Sequence, residues 1–426
     1  MRVAIVGTGI SGLVAARELH GSAELEIFEA GAHVGGHTHT HTIEHRGERH
    51  AIDTGFIVFN ERTYPEFVRL LRELGVGWQP SDMSFSVRDE RSGLEWNGRN
   101  LDTVYAQRSN LLRPRFHGML LDILRFNREA RALLAQDGPE LELGEWLERR
   151  RFGRAFREYY LVPMAASVWS AAPGELGRFP ARFLARFFEN HGFLEVDERP
   201  QWLVVRGGSK SYVEALIRPF AHRIRLRTPV ARVERDESGV ELVLGSGERQ
   251  RFDQVVFATH SDQALALLAR PTRAEREVLG AIPYQENEAV LHTDTRLLPR
   301  RRKCWASWNY HVLDERERAQ RPDRVALTYW MNGLQGLEGK TQFCVTLNRG
   351  DAVDPERVLR RITYHHPCFT PAALAAQQRW DEVSGRNRTS YCGAYWGFGF
   401  HEDGVRSGQR AARGLMRELE PLEVGR

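Results

Sequence analysis

The chain has 426 residues, 42% of them hydrophobic and 27% charged, which supports a sizeable core and excludes wholesale disorder. Its net charge of +4 is too mild for a nucleic-acid partner, and no apolar run approaches the roughly 18 residues that span a bilayer. The four cysteines, Cys304, Cys344, Cys368 and Cys392, lack C-x-x-C spacing and read as reduced thiols of a cytoplasmic protein; the N-terminus enters a strand at once, as expected without a signal peptide.

Val3-Ala4-Ile5-Val6 is a strand-like apolar run. Gly7-Thr8-Gly9-Ile10-Ser11-Gly12 follows, and Leu13 to Leu19 has helical spacing. A second strand-like run, Leu25 to Phe28, ends on Glu29. Gly7 allows a tight turn, Gly9 lets a pyrophosphate approach the backbone, and Gly12 lets the helix pack closely on the sheet. The helix N-terminus around Ser11 offers N–H groups and partial positive charge to phosphates. Glu29 is placed to accept ribose hydroxyl protons. Strand, glycines, helix, strand and acid in this order predict dinucleotide binding.

Farther along, apolar spacing predicts helices over Leu120–Leu134, Leu143–Arg151 and Ala181–Asn190. Trp202–Val205 reads as a strand, Arg206–Ser209 as a turn and Tyr212–Phe220 as a helix. Strands are expected at Arg225–Thr228, Ala231–Arg235, Val240–Leu244, Arg251–Ala258, Glu288–His292, Val325–Met331 and Thr341–Leu347. Val405–Leu419 is the last helix. No internal repeat or low-complexity linker is visible.

A second glycine pair follows the ribose acid in Glu29-Ala30-Gly31-Ala32-His33-Val34-Gly35-Gly36-His37-Thr38. Further on come Ala51–Phe56, Val205-Arg206-Gly207-Gly208 before a helix, Pro229–Val233, Phe252–Thr259, and Gly404-Val405-Arg406-Ser407-Gly408 opening the last helix. In this order the segments resemble the superfamily of flavin-dependent amine oxidases, phytoene desaturases and protoporphyrinogen oxidases. The resemblance implies an α/β fold: a Rossmann-like FAD-binding domain with an inserted α+β substrate domain. Residues 1–80, 201–270 and 385–426 would form the first, 81–200 and 271–384 the second. The implied cofactor is FAD, held by Gly7, Gly9, Ser11, Gly12, Glu29, Ala30, Gly35, Gly36, His37, Thr38, Val230, Gly393, Gly404 and Val405.

The chain departs from that pattern in three places. His37 stands where the family commonly has arginine. Gly393 is followed by Ala394 and Tyr395 rather than an acid, leaving Glu402 and Asp403 to supply a carboxylate from a shifted position. Glu288 falls roughly where amine oxidases often place a lysine, and the chain's three lysines, Lys210, Lys303 and Lys340, lie elsewhere in the sequence. His292, Glu288 and Tyr310 become the candidate proton handlers or orienters. The segments Ala289–Asp294, Trp305–Tyr310 and Gly393–Gly404 look like a bacterial amine-oxidase-like subgroup associated with cyclopropane-fatty-acid-synthase-type methyltransferases. That likeness implies a small-molecule or lipid substrate, oxidation or desaturation of a methylated fatty acyl chain, and a lipid methyltransferase partner. The alternatives are a flavin amine oxidase acting on a small amine and a non-catalytic FAD-binding partner of the methyltransferase.

Several features carry a sharp and a plain reading. His37, His39 and His41 alternate on one face, yet no metal is expected, because no cysteine or carboxylate completes the set. Phe179, Phe183 and Phe187, interleaved with Arg178, Arg182 and Arg186, could meet a membrane surface or line a lipid channel; a core helix with arginines in water is preferred. Arg300-Arg301-Arg302-Lys303 reads as a solvated turn, although anionic headgroups would suit it. Peripheral contact at the inner membrane surface stays open on these grounds. Tyr395, Trp396, Phe398 and Phe400 are candidate pocket walls, and Cys392 reads as a small buried hydrophobe rather than a flavin attachment point.

Overall fold

A computed structural model describes residues 1–136, 140–169, 174, 176–195, 200–320 and 324–419; the tail 420–426, expected in the cofactor-binding portion, lies outside them. The protein is an α/β molecule organised around two large sheets. The first is a five-stranded parallel sheet in the order Ile224–Arg225, Glu24–Phe28, Arg2–Val6, Gln254–Phe257 and Thr389–Tyr391. After Arg2 its central strand is apolar, and Val3, Ala4 and Ile5 are fully buried, as a strand covered on both faces requires. The helix Ile10–Leu19 packs against the last helix, His401–Leu419. Two glycines permit that crossing: a Cβ on Gly404 would lie 2.6 Å from Ile10 Cγ2, and one on Gly408 2.4 Å from the Ser11 carbonyl.

The second sheet has seven strands, in the order Val358–Pro367, Tyr284–His292, Cys344–Leu347, Leu327–Trp330, Trp308–Val312, Phe85–Asp89 and Glu95–Asn97. All neighbours are antiparallel except Trp308–Val312 and Phe85–Asp89. A helical layer, including Pro114–Ala135, Leu143–Arg149 and Ala181–Asn190, shares one core with this sheet through Phe126, Trp146, Phe156 and Phe188.

Two expected elements change. The run Arg251–Ala258 is two strands, Arg249–Phe252 in a three-stranded antiparallel sheet and Gln254–Phe257 in the parallel one. Asp253 divides them: its carboxylate accepts the Arg2 amide at 2.7 Å and its own amide donates to the Arg2 carbonyl at 2.9 Å. The strand expected over Arg225–Thr228 is only Ile224–Arg225. Arg227 turns to φ 51°, and the amides of Arg227 and Thr228 donate to the carbonyls of Gly31 and Glu29.

Candidate active site

The C-terminal ends of the parallel strands open on a cavity of about 560 Å³, where ligands of doubly wound sheets bind. Gly7, Gly9, Ser11, Glu29, Ala30, Gly35, Gly36, His37, Val230 and Gly393 all line it. Gly7 adopts φ 105°, and a Cβ there would stand 2.8 Å from the Ala258 carbonyl. Gly9 is different: nothing lies within 4 Å of the position its Cβ would take. Gly9 caps the Ile10–Leu19 helix without a side-chain hydrogen bond, so the first-turn N–H groups face the cavity uncapped. Gly35 and Gly36, both at positive φ (124° and 58°), bring the second glycine loop onto the first, where Gly35 bridges Gly9. The Glu29 carboxylate accepts the Thr8 amide at 3.0 Å and the Gly31 amide at 2.7 Å, which fixes it at the cavity edge. An uncapped helix start, an open cradle over Gly9 and an oriented carboxylate are what the adenosine diphosphate half of FAD needs.

Four expected cofactor residues stand behind the cavity wall. Gly12 is a packing glycine, whose Cβ would fall 2.3 Å from the Gly7 carbonyl. Gly404 and Val405 serve the helix crossing and its core. Buried Thr38 hydrogen-bonds through Oγ1 with Tyr212 and with His401 Nε2 at 3.0 Å. The carboxylates expected from a shifted position are also engaged elsewhere. Glu402 accepts the amides of Glu66 and Phe67 at the start of the Pro65–Glu73 helix. Asp403 accepts those of Phe398 and Phe400, and burial pushes its pKa up to about 6. Cys392 is fully buried behind the wall, and burial raises its thiol to about 12.

A second chamber of about 190 Å³ adjoins the first. The two share His37, His366, Pro367, Gly399, Phe400 and His401. Its remaining walls are mainly apolar or aromatic, among them Phe56, Val168, Trp169, Phe187, Trp308 and Phe398. Among the described residues no carboxylate, lysine or arginine lines it. The Phe179–Phe183–Phe187 stripe faces inward. Phe187 forms wall, Phe179 is buried, and Phe183 packs 5.1 Å from Phe398 and 5.6 Å from Phe369. Of the C-terminal aromatics, Tyr395 lines the first chamber, Phe398 the second and Phe400 both. Trp396 lines neither and packs against Tyr395 at 5.1 Å.

The three residues expected to handle protons lie outside both chambers. The ring of His292 is buried between Thr346 Oγ1, 2.8 Å from Nε2, and the Asp294 amide, which donates to Nδ1 at 3.0 Å. Glu288 pairs with Arg361 at 2.7 Å on the outer surface of the sheet. Tyr310, on the same strand face as Trp308, is buried in the core that the sheet shares with the helical layer and does not reach the chamber. Strand alternation explains the displacement: these side chains point to faces or registers that do not meet the cavities.

Histidines stand at the junction instead. The His37 ring lies 5.3 Å from that of His366 and 6.0 Å from that of His260, and His401 stacks on Phe56 at 3.4 Å. Burial, then neighbouring imidazoles, lowers His37 to about 4 and His366 to about 3; His260 falls to about 4 and His401 drops well below its ordinary range for the same reasons. All four are neutral at physiological pH. The tautomer of His366 follows from its neighbours. The Glu288 amide donates to Asn348 Oδ1 at 3.0 Å, so Asn348 Nδ2 donates to Asn287 Oδ1 at 2.8 Å. Asn287 Nδ2 then donates to His366 Nδ1 at 3.0 Å. With Nδ1 accepting, the neutral ring carries its proton on Nε2. The rings of His39 and His41 lie 4.0 Å apart and tilted by 43°, and among the described residues no group of three or more His, Cys, Asp or Glu side chains is arranged to hold a metal.

His366 and Tyr364 went unread because the strand Val358–Pro367 was not expected. Its charged half, Arg360-Arg361, hides the alternation. Ile362, Tyr364 and His366 point inward while Arg361, Thr363 and His365 are exposed, a period-two signal that was available.

The chain matches the flavin containing amine oxidoreductases over residues 10–332. AofH of Mycobacterium tuberculosis, itself only provisionally named a flavin-containing monoamine oxidase, is 27% identical over 266 residues, covering 58% of this chain and 54% of AofH; the match spans about half that relative's length. Among solved structures, cyclohexylamine oxidase from Brevibacterium oxydans superposes with a TM-score of 0.70 at 18% identity, covering 99% of each chain. The fatty acid isomerase of P. acnes that produces CLA superposes at 0.66 and 16% identity, covering 98% of each. At such identities the likeness speaks to the fold. The match to the family extends over well more than half of the chain, and the chain therefore belongs to the flavin-containing amine oxidoreductases and is an FAD-dependent oxidoreductase.

Proposed function

We propose that the enzyme oxidises a C–H bond of a fatty acyl chain, desaturating a methylated lipid. The observation that carries this reading is the chamber adjoining the cofactor cavity, whose described walls offer aromatic and aliphatic surface and no charged side chain. Such a wall suits an apolar chain held by area burial. FAD supplies the hydride acceptor when bound. The protein's part is to exclude water and to orient. Phe187, Phe398 and Phe400 enclose the chain, and the glycine loops and Glu29 hold the cofactor. His366 presents an N–H at the shared wall, where it can hold an electronegative atom of substrate or cofactor without introducing charge. None of the three lysines lines either chamber, which argues against the lysine-dependent arrangement of amine oxidases. The likeness to the methyltransferase-associated subgroup supports a lipid substrate and a methyltransferase as functional partner.

Lipid mass profiling of cells with and without the protein tests this reading. Acyl species two mass units lighter than their precursors should disappear with the protein; unchanged acyl chains would contradict it. The name of the mycobacterial relative supports a second reading, oxidation of a small amine. Hydrogen peroxide release with simple amines, and none with acyl lipids, would favour that instead.

A further inference from the structure

Six large hydrophobic side chains are exposed among the described residues, and five of them fall within one stretch: Leu101, Leu111, Leu112, Leu121 and Leu124. Leu112 is 86% exposed and Leu101 77%. Leu111 and Leu112 end the short turn Arg108–Leu112. Leu121 and Leu124 lie on the helix Pro114–Ala135, away from its buried face of Phe116, Met119 and Phe126. These pieces form one surface. His117, one turn before Leu121, hydrogen-bonds the Leu111 carbonyl through Nε2 at 3.0 Å. Arg108 ties the turn to Asp102, beside Leu101, at 2.7 Å.

The surface is also cationic. Residues 99–128 contain six arginines, at 99, 108, 113, 115, 125 and 128, against two aspartates. Both aspartates are already paired, Asp102 with Arg108 and with Lys303, Asp122 with Arg125. The Asp102–Lys303 pair, at 2.9 Å, brings the exposed run Arg300–Lys303 to the edge of the same patch. Asp82, Glu95 and Glu129 pair with Arg99, Arg301 and Arg125 at its edges, and the corner keeps a surplus of positive charge.

We propose that this surface docks the enzyme on an anionic lipid bilayer. The leucines enter the boundary between headgroups and acyl chains, and the arginines meet lipid phosphates. No helix among the described residues is long and apolar enough to cross a membrane, so the protein lies on the bilayer through this patch. A second copy of the chain is a poorer occupant, because it would bring two surfaces of the same sign together. The inference rests on the surface alone and does not depend on the acyl-chain substrate.

Co-sedimentation of the FAD-loaded protein with vesicles tests it. The protein should pellet with equimolar phosphatidylglycerol and phosphatidylcholine vesicles, bind phosphatidylcholine vesicles less, and lose anionic binding as salt is raised. The double variant Leu112→Glu, Leu121→Glu should bind the anionic vesicles weaker by about tenfold or more. Both side chains are exposed, so flavin content and melting temperature should stay unchanged, which separates lost docking from misfolding. Equal vesicle binding by the parent protein and the variant would overturn the proposal. So would concentration-dependent self-association that the same substitutions abolish, since a second copy would then cover the patch.

Discussion

Gly9 and His366 show what single atoms decide here. The absent Cβ of Gly9 leaves open space at the start of a helix whose N–H groups lack a side-chain cap, so a larger residue would fill the phosphate position while disturbing no packed neighbour. Gly9→Val is expected to purify folded but colourless, with flavin absorbance lost and circular dichroism retained; a yellow variant with full FAD content would contradict the assignment. His366 has the opposite history. Only the alternation of Ile362, Tyr364 and His366 marks its place in the sequence, and its tautomer is set by Asn287 and Asn348, 79 and 18 residues away in the chain. His366→Ala removes the N–H at the junction and should lower turnover by about 10²-fold while leaving FAD content intact. Asn287→Leu should produce part of the same loss by freeing the ring. The place of Gly7, Gly9 and Glu29 at the cavity edge was legible because local backbone sets it. Glu288, His292 and Tyr310 line neither chamber, because the face and register a side chain takes in a sheet decide what it reaches, and spacing alone does not supply that.

At the scale of elements, long apolar runs gave their structures away, and polar ones did not. The helix Ala181–Asn190 matches its expected span. The hairpin of Thr40–His45 and Glu48–Asp53, whose strands pair with each other, and the strand Val358–Pro367, which pairs with Tyr284–His292, were missed, since their polar and charged residues mask the alternation. The crossing of the first and last helices depends on small residues at contact. Gly408→Val would drive a side chain into the Ser11 carbonyl and should cost about 1–3 kcal/mol, read as a lower melting temperature with weaker FAD retention. The histidine-rich junction makes stability depend on pH. His37 and His260, at about 4, and His366, at about 3, lie below the ordinary 6.5, so the unfolded chain binds more protons in that window. Their contribution is complete above pH 6.5 and is lost as pH falls toward 4. Asp53 and Asp403, raised to about 6, act in the opposite sense between about pH 4 and 6. The lowered histidines outnumber them, so the melting temperature should fall between pH 7 and pH 5; a rise would contradict the neutral assignment.

The whole molecule joins two cavities made by different sheets. Glycine loops at the ends of the parallel strands form the cofactor cavity, and the Val358–Pro367 strand of the mixed sheet delivers His366 to the wall that both cavities share. The glycine-lined cavity was readable at once, because its glycines and helix start follow one another in a fixed order along the chain. The substrate half was not, because an apolar chamber can be built from any well-packed set of aromatics, and its walls come from segments spread between His37 and His401. The central claim is that this chamber presents an acyl chain to the flavin. Anaerobic titration of the FAD-loaded enzyme, followed through the flavin absorbance, tests it most directly. Methylated acyl lipids should bleach the flavin while simple amines leave it oxidised; bleaching by amines and none by acyl lipids would contradict the account.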